Sequence, residues 1–294
     1  MLTQRPHFAS FWRGTLSPFE QACLRSFVNG GNPVTLYSYE ALQGVPDGVD
    51  IADAREIAPE DSASRFLYKG KADLSHFSDY FRYNLSMKTD SIWVDTDLLL
   101  VDAFPSDLPS TIVAMESSTM ICPAILRLER GDPRLPTLVA ATEGKMDRNL
   151  VWAETGPKLM TTVFDGEAIM QQAMPPEMFF PIPHQEFWRA FVPDEREWCE
   201  RATANSIGVH LWNNIVTALG YWKALAPPEG SYLYERFKAD NSLDLFTDCY
   251  PANVMARMVE NYRFRLNGHG LGLGSIVRQA VPSIGRSWRH RFGG

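Results

Sequence analysis

Residues 73–101 read DLSHFSDYFRYNLSMKTDSIWVDTDLLLV, and two periodicities meet in them. In the first part Leu74, Phe77, Phe81 and Leu85 recur at spacings of three and four, the repeat of one helix face, and Asp73 is placed to cap that helix. Asp79 and Arg82, three apart, are neighbours on another face. The second part is an apolar run, Ile92 to Val94 and Leu98 to Val101, broken by Asp95 and Asp97. An isolated buried carboxylate is costly. A chain that sets two of them in a strand must pair them, give them a metal, or bring them out where the strand leaves its sheet.

Upstream, HFASFWRG (7–14) reads as a first strand. Ser17-Pro18 opens a helix that Gly30-Gly31 ends, and PVTLYSY (33–39) is a second strand. Strand, helix, strand at this spacing is a βαβ unit and favours a parallel sheet. Residues 46–72 are rich in Pro, Asp and Gly and read mostly as loop, with VDIADAREI holding a short strand. Downstream, TIVAMES (111–117) and CPAILRLERG (122–131) read as strands that can pair as a hairpin, and residues 135–153 and 156–164 as helices. MFFPIP (178–183) and SIGVHLWNN (206–214) are expected as late strands with functional ends. Beyond residue 228 the pattern is helical, and GHGLGLGS (268–275) is a linker. The expected fold class is α/β, a mostly parallel sheet flanked by helices, with additional C-terminal helices.

The 294 residues are 45 % hydrophobic, enough for one large α/β core. Cys23, Cys122, Cys199 and Cys249 are scattered singly, without zinc-site spacing or disulfide density, which suits a reducing compartment. The apolar stretches are far shorter than a membrane span and the first residues lack a signal-peptide pattern, so a cytoplasmic location is expected. Six arginines and no acidic residue give residues 261–294 a charge of +6, and the total of −7 leaves −13 for residues 1–260. So acidic a body excludes nucleic acid as an expected partner. Two units follow: a domain over 1–260 and a basic tail over 261–294 suited to peripheral contact with an anionic membrane.

In a parallel α/β sheet, ligands sit beyond the carboxyl ends of the strands, which is where Asp95 and Asp97 lie. Two residues apart on extended chain, their side chains point to one side and can hold a hard divalent cation, Mn2+ or Mg2+. Such a cation, completed by substrate phosphates, neutralises the charge that grows on a departing diphosphate.

The helix with Ser78-Asp79-Tyr80-Phe81-Arg82-Tyr83 followed by Ile92-Trp93-Val94-Asp95-Thr96-Asp97 resembles the central segment of the D-x-D glycosyltransferases of family 32, which include mannosyl-, α-1,4-galactosyl- and capsular-polysaccharide transferases. FASFWRGTLSP resembles the opening strand of that family, Ile207-Gly208-Val209-His210-Leu211-Trp212 its closing strand, and Glu154-Thr155-Gly156-Pro157 a T-G-P segment between them. Lys88-Thr89-Asp90 stands where Gly-Gly is usual. The resemblance implies a GT-A-like fold and a retaining hexosyltransferase that uses a nucleotide-diphosphate sugar, UDP-linked, with a glycan or lipid-linked acceptor. It implies Asp79, Arg82 and Asp97 as catalytic residues and Trp12, Asp79, Arg82, Asp95 and Trp212 as donor-binding residues. Asp95, Asp97 and His210 are the implied metal ligands. Glu116, Ser117 and Ser118 are candidates for lining the sugar pocket.

Two rivals are a metal-dependent phosphatase or phosphotransferase with Asp95 as nucleophile, and a non-catalytic sugar-binding protein on the same fold. A D-x-D of the haloacid-dehalogenase type stands near the amino terminus, whereas Asp95 follows about ninety residues, which disfavours the first.

Overall fold

The computed structural model describes residues 5–105, 109–166 and 169–269. β1 (Phe8–Phe11), α1 (Pro18–Asn29), β2 (Val34–Ser38) and β3 (Val49–Asp53) form the expected βαβ start, with β1, β2 and β3 all parallel. Pro18 is the first residue of α1, where its missing N–H costs nothing, and Gly31 at φ +73° makes the turn into β2. Two short strands, β4 (Phe66–Tyr68) and β5 (Lys71–Ala72), pair with each other before α2 (Leu74–Lys88). The Asp73 carboxylate caps α2, accepting the His76 N–H at 3.0 Å. Phe77, Phe81 and Leu85 are fully buried as their spacing predicts, while Leu74 in the first turn stays exposed.

The D-x-D run is not one strand. β6 (Ile92–Val94) lies in the centre of the main sheet, parallel to β1, and β7 (Leu98–Leu100) leaves it. A hydrogen bond from Leu98 N–H to the Asp95 carbonyl (3.0 Å) closes the turn between them, so both carboxylates sit at a corner rather than inside a strand. This answers the cost argument: the chain turns out of the sheet where the charges begin.

β8 (Ile112–Ser117) and β9 (Met120–Arg127) are an antiparallel hairpin, and β9 adds antiparallel to β6. The main sheet therefore runs β3-β2-β1-β6-β9-β8, parallel on one side and closed by a hairpin on the other. α3 (Leu135–Glu143) ends earlier than expected at Gly144, and β10 (Arg148–Leu150), which the sequence placed within that helix, pairs parallel with β4. α4 (Pro157–Phe164) follows, then α5 (Ile169–Gln172). The strand expected at 178–183 does not form: Met178 and Phe179 belong to a helical turn, α6 (Pro176–Phe179), which Pro175 and Pro176 start, and Pro181 and Pro183 remove donors a strand would need. α7 (Arg196–Ala202) leads to β11 (Gly208–His210), which pairs antiparallel with β7. α8 (Asn213–Leu219), β12 (Leu225–Ala226), α9 (Tyr232–Ala239), β13 (Asp248–Cys249) and α10 (Ala252–Phe264) complete the described chain.

Alternation along β1 and β6 splits the core into two layers. Ala9, Phe11 and Trp93 face a cluster with Phe77 and Phe81 of α2, whereas Phe8, Ile92 and Val94 face Leu24 and Phe27 of α1. A third cluster joins Phe19 and Cys23 of α1 and Leu99 of β7 to the C-terminal helices through Phe191, Val209, Phe237 and Met255. The mixed sheet with helices on both faces is the GT-A-like arrangement expected. Among the described residues no helix is long and apolar enough to cross a membrane. α10 carries the chain past Glu260, with Tyr262 packed on Phe187 and Arg263 over Trp188, while residues 270–294 of the expected tail lie outside the described residues.

Candidate active site

The turn after β6 and the end of β11 meet because β7 pairs with β11, with His210 opposite Leu98. His210 Nε2 thereby lies 3.3 Å from Asp97 Oδ1 and 4.0 Å from Asp95 Oδ2. One ligand atom from each of Asp95, Asp97 and His210 falls within 4.8 Å of the others, the spread that a single cation bonded to all three requires. The other ring nitrogen, Nδ1, is buried and finds no partner. Two carboxylates and one imidazole suit Mn2+ at least as well as Mg2+, which prefers oxygen alone.

Each ligand is held from behind. Asp97 Oδ2 accepts the Asn213 backbone N–H at 2.7 Å, and the Asp97 carbonyl accepts Leu211 N–H at 2.9 Å. Burial by itself would raise the Asp97 carboxyl, but His210 and the Asn213 N–H outweigh it and hold the group at about 2. His210 is buried, which lowers its affinity for a proton, yet Asp97 and then Asp95 raise it above the usual value. Asp95 accepts the Trp93 indole N–H at 2.7 Å, and its Oδ1 lies 3.2 Å from Arg82 Nη2. Burial pushes the Asp95 carboxyl up and Arg82 opposes it.

Arg82 is buried between two anions. Its Nη2 is 3.4 Å from Asp79 Oδ1 as well as 3.2 Å from Asp95; Nε donates to the Ser78 carbonyl at 3.1 Å and Nη1 to the Pro123 carbonyl. Its guanidinium stacks 4.7 Å over the Trp93 ring. The i,i+3 pair read from sequence is thus not a surface pair but the link between α2 and the D-x-D corner. Thr155 donates to Asp79 Oδ2 at 2.7 Å, Tyr83 O–H donates to the Thr155 carbonyl at 2.9 Å, and burial raises the Asp79 carboxyl to about 6 against the pull of Arg82. Gly156 backs onto this carboxylate so closely that an added Cβ would stand 2.6 Å from Asp79 Oδ1.

Trp212 has a left-handed backbone (φ +54°), uncommon for so large a residue, and this turn aims the Asn213 N–H at Asp97. Its ring stands 4.4 Å from His210 and its indole N–H bonds the Ile182 carbonyl at 2.9 Å. Trp12 follows β1, the neighbour of β6, and leaves the sheet at the same edge as Asp95, but its half-buried ring packs in the apolar cluster rather than on the carboxylates. Glu116 is half-buried at the end of β8, where burial raises its carboxyl against His184 and His210, and Ser117 and Ser118 are exposed.

The sequence reading missed a supporting layer. Glu20 of α1, 1 % exposed, pairs with Lys223 and accepts Asn213 Nδ2 at 3.1 Å, so α1 braces the turn that holds Asp97. Ser17 and Glu20 form a capping box at the start of α1, and nothing in the spacing of Glu20, Asn213 and Lys223 in the sequence signals that they meet.

A family model described as the alpha 1,4-glycosyltransferase conserved region matches residues 148–223. The match begins at β10 and takes in Thr155, Gly156, His210, Trp212, Asn213 and Lys223, the half of the site that closes on the D-x-D corner. Lactosylceramide 4-alpha-galactosyltransferase of Homo sapiens is 26 % identical over 149 residues, covering 46 % of this chain and 41 % of the relative. The Mus musculus protein of the same name is 27 % identical over 147 residues, covering 46 % and 40 %. These matches support a family 32-type glycosyltransferase. The chain spans about two fifths of the length of these curated relatives. The part that the family model matches holds His210 and Thr155, one of the two partners of Asp79.

Proposed function

We propose that the protein transfers a hexose from a nucleotide-diphosphate sugar, a UDP-hexose, to a hydroxyl of a glycan or glycolipid with retention of configuration. The observation that carries this reading is the Asp95–Asp97–His210 cluster at the carboxyl end of the central strand. Those three side chains would hold Mn2+ or Mg2+, which supplies Lewis-acid stabilisation of the departing diphosphate. A glycolipid acceptor is supported by the printed name of the relatives, which act on lactosylceramide.

The chain's own residues do the rest. Asp79, held by Thr155 and Arg82, accepts a hydrogen bond from a hydroxyl of the donor sugar and fixes its ring. Arg82 keeps Asp79 and Asp95 charged and in register, so the sugar and the phosphates are located by one buried cation. Trp212, 4.4 Å from His210, screens the phosphates from water, and the Trp12 ring would have to turn out of its apolar cluster to stack on a nucleotide base. In the transfer the bond from the anomeric carbon to the phosphate oxygen breaks and a bond to the acceptor oxygen forms on the same face. The acceptor proton passes to the departing phosphate oxygen.

The test is to incubate the protein with UDP-galactose or UDP-glucose, Mn2+ and lactose, and to read the product by NMR. An α-linked trisaccharide with release of UDP is expected. A β-linked product would refute retention, and release of inorganic phosphate alone would favour the phosphatase reading.

A further inference from the structure

Residues 151–156, between β10 and α4, are fixed at nearly every position. His76 Nε2 lies 3.1 Å from the Val151 carbonyl oxygen, Glu154 accepts the Val151 N–H at 2.8 Å and pairs with Lys145, and Thr155 bonds Asp79 at 2.7 Å. Ala153 holds a left-handed backbone, φ +66°, which residues with a Cβ rarely adopt. A loop so constrained nonetheless presents its apolar residues to solvent: Val151 is 61 % and Trp152 45 % exposed. The Trp152 ring lies 5.8 Å from Tyr68 and 6.0 Å from His76, and Lys69 Nζ stands 5.0 Å over Tyr68.

A rigid aromatic surface rimmed by polar groups combines the apolar face and polar edge that ligand contact requires. Its size indicates the occupant. Val151, Trp152 and the half-buried Tyr68 offer on the order of 200–300 Å2 of apolar area. A stable dimer needs roughly 600–1,000 Å2 from each partner, and the exposed Lys69 and Lys71 beside it do not fit an apolar bilayer interior. The area fits the C–H face of one or two pyranose rings, whose hydroxyls are left to the polar rim. Its position is also informative: Trp152 is three residues from Thr155, and His76 is one helical turn before Asp79, so the surface adjoins the carboxylate proposed to hold the donor sugar. We propose that Tyr68 and Trp152 form a stacking subsite for the saccharide of the acceptor; the word acceptor rests on the transferase reading above, but the binding does not.

The test is therefore made without donor. Saturation-transfer NMR of the full chain with Mn2+ is run against lactose, N-acetyllactosamine, maltose and mannobiose. At least one sugar is expected to bind the wild type. Trp152→Ala should weaken that binding about ten-fold, the equivalent of losing one aromatic stack, and Trp152→Phe should retain most of it. Thermal melting and Mn2+ affinity check that both variants are folded with the D-x-D corner intact. Absence of binding by the wild type, or equal binding by Trp152→Ala, overturns the subsite. Equal binding with a sedimentation shift from dimer to monomer in Trp152→Ala assigns the surface to a second copy instead. If sugar binding follows Trp152 while no UDP-hexose is ever turned over, the transferase reading fails and the subsite stands.

Discussion

Asp97 has the most defined surroundings of the three proposed ligands, with His210 on one oxygen and the Asn213 N–H on the other. Asp97→Asn keeps the size of the side chain and removes the charge, so the fold is expected to survive while Mn2+ affinity, read by calorimetry, falls by about ten-fold or more. Wild-type affinity in a folded Asp97→Asn protein would remove Asp97 from the ligand set. Arg82 serves two buried carboxylates at once. Arg82→Met leaves them facing each other without a counter-charge and is expected to cost about 3–5 kcal/mol of stability, measured by urea unfolding. A loss below 1 kcal/mol would mean that the pair is solvated after all. Gly156 tests the donor pocket from behind. Its backbone (φ −104°, ψ −104°) lies outside the regions that residues with a Cβ favour, and an added Cβ must also push Asp79 aside. Gly156→Ala is therefore expected to raise the donor KM several-fold, and unchanged donor kinetics would free Asp79 of its proposed role.

At the scale of elements, α2 carries its cap at Asp73 and the site residues Asp79 and Arg82 in its middle turns. Burial alone would raise the Asp73 carboxyl, but His76 and Ser75 bond it down to about 2, below the unfolded value of about 3.9. That contribution is fully present above about pH 4 and is lost as the pH falls through about 2. For His76 the order reverses. Burial lowers it, Asp73 and the Val151 carbonyl raise it further, and its net raised value gives stability that is present below the ordinary value of about 6.5 and lost as the pH rises through the folded value. The difference in unfolding free energy between wild type and Asp73→Asn should be largest between about pH 4 and 6.5, on the order of 1–2 kcal/mol. A difference that does not vary with pH would show that the cap works by hydrogen bonding alone. α2 was legible because its signals are local, an Asp cap and apolar residues three and four apart. The split between β6 and β7 was not. Leu98 to Val101 continue the apolar pattern of Ile92 to Val94, and only the pairing of β7 with β11, more than a hundred residues away, turns the run out of the sheet. β10 was missed for the same reason: its partner is β4, about eighty residues earlier.

At the scale of the molecule, the sequence revealed the chemistry of the site more fully than its support. Asp95, Asp97 and His210 were named from a strand-end pattern and a resemblance, and the fold brings them within 4.8 Å. Asp79 and Arg82 were placed on the right helix, but their burial against Thr155 and Asp95 depends on contacts that no local pattern encodes. The basic tail divides likewise. Arg263 stacks on Trp188 and Arg265 reaches the Ala218 carbonyl, leaving Arg278, Arg286, Arg289 and Arg291 beyond the described residues. If those four bring the protein to anionic lipid, at about 1 kcal/mol each, the full chain should co-sediment with phosphatidylserine vesicles at low salt and a version ending at His269 should not. Equal behaviour of the two would refute a membrane role for the tail.

The central claim is that Asp95, Asp97 and His210 hold the cation that assists departure of a nucleoside diphosphate. Its most direct measurement is release of UDP from a panel of UDP-hexoses, with water as acceptor, by wild type and by Asp97→Asn in Mn2+ and in EDTA. The expected result is release by the wild type in Mn2+, and a loss of two orders of magnitude or more both in EDTA and in a folded Asp97→Asn protein, since the leaving group has lost its counter-charge. Release that persists in EDTA, or in Asp97→Asn with Mn2+, would contradict it.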